Sequence, residues 1–216
     1  MTLVDSLGPM LDRRFAVAAL LLCAAAPAHA QRDHLVPEGS PFEYAKNWPV
    51  GGPGDLTALY DRDVVARLIV EPSFRHVFGV GIRQGGDAYG IVAVEQRDAT
   101  HVDKCERTLD KGLAVRAIAA WRIVLLATRF TEDEAGTPGL DGTTLHFSMM
   151  DKFDPRPGAN GVVLYGQTWE PDEGSPPRLL YKVGVDLRDY CTTGDGADLK
   201  DASANLDRLL AHGKHE

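Results

Sequence analysis

The stretch formed by residues 108–130 constrains the fold of this chain more than any other. Between Leu113 and Phe130 its only charges are Arg116, Arg122 and Arg129, while Leu113, Ala117, Ala120, Trp121, Val124 and Leu125 recur at the i, i+3, i+4 spacing of one helical face. Val115, Ile118, Ile123 and Leu126 fall on other faces. A helix apolar around most of its circumference has to be covered on most sides, so the expectation is a central, buried helix. Thr108 or Asp110 can cap its start, and Gly112 weakens its first turn by about 1 kcal/mol relative to Ala. An acidic, turn-rich segment follows. Asp141-Gly142 then opens a strand over 143–150, with Leu145, Phe147 and Met149 on one face and Thr144, His146, Ser148 and Met150 on the other.

Around that core the chain reads in order as helix, hairpin, helix, hairpin, helix, helix. Asp55 is placed to cap a helix reaching Ile69, because Leu56, Leu59, Tyr60, Val64 and Leu68 share a face and Pro72 ends the pattern. Phe78, Val80 and Ile82 alternate with Gly79, Gly81 and Arg83, Gly85-Gly86-Asp87 supplies a turn, and 88–96 returns as a strand, which makes a β-hairpin. Gly79 and Gly81 mark either close packing or room for a ligand, and packing is favoured. A polar stretch leads from Arg97 to Cys105. Residues 161–169 pair with the 143–150 strand, 178–191 follow a helical pattern with Cys191 on the core face, and Leu199, Ala202, Leu206, Leu209 and Leu210 define a last helix. The fold class is therefore α+β: an antiparallel sheet of about four strands, in two hairpins, packed by a central buried helix and flanking helices.

The amino terminus is read as a leader. Arg13 and Arg14 precede the apolar run 15–26 and the small-x-small site Ala28-His29-Ala30, so 1–30 is expected to be a cleaved signal peptide, with Met1 or Met10 as the start. The run is too short to span a bilayer, and Cys23 follows Leu22 where a lipobox needs a small residue, so no stable membrane anchor is expected. Residues 31–54 carry Pro37, Pro41, Pro49, Pro53 and Gly51-Gly52 among Phe42, Tyr44 and Trp48, the pattern of an extended arm. Residues 55–216 form a single domain. The leader holds Asp5, Asp12, Arg13 and Arg14, two charges of each sign, so its removal leaves the formal charge of −8 unchanged. With no basic cluster, the chain offers nothing to neutralise phosphates, and nucleic acid is not an expected partner. Export also leaves Cys105 and Cys191 as an even pair where thiols are oxidised, which predicts a disulfide closing about 86 residues and worth on the order of 4 kcal/mol. A catalytic thiol is the alternative reading.

Two clusters carry ligand-type or catalytic side chains. His101, Asp103, Cys105 and Glu106 lie close in sequence, but no second half completes a metal shell, and Cys105 is the better disulfide partner. The run 141–148 concentrates Asp141, Thr144, His146 and Ser148, which a hydrolase would use as orienting acid, nucleophile (Thr144 or Ser148) and base. Same-face neighbours on a strand lie roughly 7 Å apart, too far for a hydrogen bond, and no G-x-S-x-G or S-x-x-K is present. Arg129 at the helix end and Asp141 at the strand start can pair across the corner between them. Trp121 reads as core. No Rossmann, phosphate-loop, haem or EF-hand motif occurs, so no cofactor is expected.

The succession Ala120-Trp121, Leu125-Leu126-Ala127-Thr128-Arg129-Phe130 and Leu140-Asp141-Gly142-Thr143-Thr144-Leu145-His146-Phe147-Ser148 resembles a pattern in uncharacterised exported proteins of Gram-negative bacteria. The resemblance implies export and a helix-to-strand corner, and no activity. The expectation is a periplasmic or secreted module that binds or inhibits an envelope protein partner. Asp141, Thr144, His146, Ser148 and Arg129 are its candidate contacts, and a small hydrolase or ligand-binding enzyme centred on Asp141, Thr144 and His146 is the alternative.

Overall fold

The computed structural model describes residues 33–37, 56–98, 101–129, 142–151 and 162–212. The chain divides into Met1–Gln31 and Arg32–Glu216, and all described residues belong to the second unit. The expected leader, most of the arm and Asp141 therefore lie outside the described residues.

A short 3-10 turn, Leu56–Tyr60, leads into β1 (Val64–Pro72), β2 (Phe78–Gly85), β3 (Ala88–Gln96) and β4 (Val102–Leu109). Helix α1 (Lys111–Leu126) is followed by β5 (Thr143–Asp151), β6 (Val162–Trp169), α2 (Pro176–Thr193) and α3 (Gly196–His212). The strands form one six-stranded sheet in the order β4-β3-β2-β1-β5-β6, with every pairing antiparallel. The α+β class stands, and the count of about four strands is corrected to six.

The two added strands escape pattern reading for opposite reasons. β1 was expected as the second half of a helix, but it lies between β2 and β5 and is buried on both faces, so its near-continuous apolar run shows no alternation. Its β-branched Val64, Val65, Ile69 and Val70 suit a pleated, enclosed strand better than a helix. β4 is an edge strand, and its Asp103, Lys104, Glu106 and Arg107 give it the charged character that protects an open edge. The hairpin β2–β3 forms as expected, with Gly86 at φ 62° in its turn.

Helices α1 and α2 cover one face, and α3 packs against both of them. Leu68, Val80, Ile91 and Phe147 of the sheet are buried there with Trp121 of α1 and Leu187 of α2. Asp110 caps α1 by accepting from the Leu113 amide at 3.0 Å. The expectation that α1 is covered on most sides needs correction. Val115, Ile123 and Leu126 are 47%, 38% and 56% exposed, so one face of α1 looks outward while Leu113, Ala117, Trp121 and Val124 pack inward. Trp121 is core, as its spacing implied: its indole N–H donates to the Arg67 carbonyl at 3.1 Å and its ring meets Phe147 edge-on at 6.4 Å.

Cys105 of β4 and Cys191 of α2 are joined as a disulfide, with Cα atoms 6.0 Å apart across 86 residues. Arg107 reinforces the seam, donating to the Cys191 carbonyl at 3.1 Å and stacking on Tyr190. Leu35, fully buried, and a single bridge between Val36 and Gln167 fix the start of the arm beside β6. Among the described residues no helix is long and apolar enough to cross a membrane.

Candidate functional site

The sheet face opposite the helices divides into two halves of different chemistry. Over β2 and β3 the 3-10 turn seats Leu59 against Val64, Ile69, Val92 and Val94 in a small second core. A Cβ at Gly79 would overlap Leu59, and one at Gly81 would meet Val64 and Val92, so both glycines serve close packing. At its margin Arg83 sits among three carboxylates, 3.0 Å each from Asp61, Asp63 and Glu106. Burial works against its charge, but Asp63, Glu106 and Asp61 together hold its pKa above the ordinary value.

The other half, on β1, β5 and β6, carries the polar residues singled out at the corner. The registers place Arg67 opposite Ser148 and Ser148 opposite Tyr165, then Ile69 opposite His146 and His146 opposite Gln167, then Glu71 opposite Thr144 and Thr144 opposite Trp169. His146 is 7% exposed, and its Nε2 lies 3.4 Å from Glu71 Oε2. Thr144, His146 and Ser148 thus share a face as read from sequence, each a full strand repeat from the next. His146 reaches across to Glu71 of β1. The Glu71 carboxylate thus helps to orient the His146 ring.

Arg129 turns toward the start of the arm. Its amide donates to the Leu35 carbonyl at 3.0 Å and its guanidinium lies 3.4 Å from Asp33. Burial works against the Asp33 charge, yet His34 and Arg129 hold its carboxyl below the usual range. The expected partner Asp141 lies outside the described residues. The cluster on β4 also disperses: Cys105 is bonded to Cys191, Asp103 pairs with Arg97 and His101, and Glu106 lies on the opposite face with Lys104 and Arg83. Among the described residues no group of three or more His, Cys, Asp or Glu is arranged to hold a metal.

A second site was not legible from motifs. At the β1–β2 turn a cleft of about 570 Å³ opens between Ser73, Phe74, Arg75 and His76 on one side and Tyr181, Val185 and Arg188 of α2 on the other. The 141–148 corner contributes Gly142 and Thr143 to it. Ser73 holds that junction by donating its hydroxyl to the Gly142 carbonyl at 3.0 Å and accepting from the Gly142 amide at 3.1 Å. Phe74 is 80% exposed at the rim. Arg188 stacks over Phe78 at 4.2 Å while pairing with Asp189 at 2.7 Å, which aligns its guanidinium along the wall. The sequence signal for this place was an aromatic followed by Arg75-His76 just after Pro72-Ser73, a turn between two apolar runs.

Compared with protein-family models, with curated proteins and with solved structures, the chain matches none.

Proposed function

We propose that this chain is an exported binding module that engages an envelope protein through the cleft at the β1–β2 turn. The observation that carries the reading is Phe74, 80% exposed beside a cleft of about 570 Å³. A large aromatic held out on a tight turn, next to arginines and a tyrosine, has the composition of an interface hot spot. Oxidative pairing of Cys105 with Cys191 and the leader-like sequence of residues 1–30 support export. The net charge of −8 describes the whole surface, whereas the cleft carries Arg75, His76 and Arg188 against Glu95. It suits a partner segment that offers a carboxylate beside an apolar side chain.

The test is a comparative capture from envelope extract with wild type, Phe74→Ala and Arg75→Glu, each checked for native circular dichroism. A stoichiometric partner held by wild type and lost by both variants supports the reading. A partner held equally by all three contradicts it, as does wild type emerging with nothing bound. His146→Ala is expected to retain the partner, because His146 sits on the other face of the sheet.

A further inference from the structure

Arg67 is 4% exposed, and its Nε and Nη1 have no hydrogen-bond partner. Its Nη2 donates to the Val64 carbonyl at 3.1 Å, and the guanidinium lies 5.0 Å over the Tyr60 ring. Burial pulls its pKa down, and the neighbouring Tyr60 only partly offsets this. A guanidinium removed from water without a counter-charge is among the costliest groups a fold can hold. On the adjacent strand β2, on the same sheet face, Arg83 shows how this protein compensates a structural arginine, with three carboxylates at 3.0 Å.

The strand registers align Arg67 with two hydroxyl-bearing residues. Across the ladder it faces the small Ser148 on β5 and Gly81 on β2, and beyond Ser148 comes the half-buried Tyr165 of β6. A hydroxyl pair and a cation with unused N–H groups form a donor set for an oxygen anion. We propose that Arg67, with Ser148 and Tyr165, forms an oxyanion site on the β1–β5–β6 face, taking the carboxylate or phosphate group of a small ligand. The site is separate from the β1–β2 cleft and does not depend on the partner proposed for it.

The experiment is thermal unfolding of the full chain in HEPES at pH 7 with sodium phosphate, acetate or chloride at matched ionic strength. The expected result is a rise of roughly 4 °C per tenfold increase in phosphate or acetate beyond half-saturation, with none in chloride. A response to phosphate alone identifies a phosphoryl ligand, and one to acetate a carboxylate. Arg67→Met is expected to abolish the rise, while Arg208→Gln, an exposed charge on α3, retains it. Equal melting temperatures for wild type in all three salts would overturn the proposal, as would a rise that survives in Arg67→Met. If Arg67→Met does not fold, Arg67→Lys is used instead. Half-saturation raised tenfold or more supports the site, and an unchanged value overturns it.

Discussion

Arg67 and Arg83 project from adjacent strands onto one face of the same sheet, and the protein treats their charges in opposite ways. Arg83 is partly open to solvent and ringed by Asp61, Asp63 and Glu106. Arg67 is closed off and leaves two of its three nitrogens without a partner. The first arrangement ties the approach to β1, through Asp61 and Asp63, to β2 and β4, and it explains itself as structure. The second costs stability, and the proposed oxyanion site gives that cost a use. Charge on this face is therefore compensated over β2 and uncompensated over β1 among the described residues.

Supplying a counter-charge to Arg67 is expected to have the largest effect. Ser148→Asp puts a carboxylate directly across the ladder from Arg67, and the variant should gain about 2 kcal/mol in urea unfolding at pH 7 while losing the response to phosphate and acetate. Destabilisation instead would mean that Arg67 is already compensated. A smaller effect of opposite sign is expected at the ringed arginine. Arg83→Met should lose about 1 kcal/mol at pH 7, because three partly exposed carboxylates then repel one another, and the loss should shrink when the same unfolding is run at high salt.

A third site shows the logic for an acid. Asp186 on α2 is pushed up to about 6, first by burial and then by Asp201, Asp189 and Asp198, against the hydrogen bond from Asn205 of α3 at 3.0 Å. A carboxyl raised in the folded state binds its proton more tightly there than in the unfolded chain, so stability falls as pH rises from about 4 to 6 and the penalty persists above that. Asp186→Asn should therefore stabilise by about 1 kcal/mol at pH 7.5, discounted for solvent screening, and by nothing at pH 3.5. A gain of equal size at both values would refute the raised pKa. The smallest stability effect is expected at the cleft: Phe74→Ala should change unfolding by less than about 0.5 kcal/mol, since an exposed ring buries little.

How much of this was legible follows from which interactions each element depends on. The β2–β3 hairpin was readable because alternation and the Gly85-Gly86-Asp87 turn are local, and α1, α2 and α3 because their inward residues repeat within one or two turns. The face shared by Thr144, His146 and Ser148 also followed from the period of a strand. β1 was not readable, because Leu56, Leu59, Tyr60, Val64 and Leu68 satisfy helical spacing until one knows that β2 and β5 flank the segment on both sides. That one misreading hid Arg67 and Glu71, whose meaning comes from pairing with Ser148 and Thr144 more than seventy residues later. The outward face of α1 was missed for a related reason: apolar residues on all sides do not say how many sides are covered.

The most direct test of the distinction between the two arginines is urea unfolding of Arg67→Met beside wild type, in chloride buffer at pH 7. If Arg67 is retained for a ligand at a cost to the fold, the variant should unfold at a higher midpoint with unchanged slope, by about 2 kcal/mol. A midpoint lowered by about 3 kcal/mol or more, the loss expected when a compensated buried charge is broken, would contradict the account.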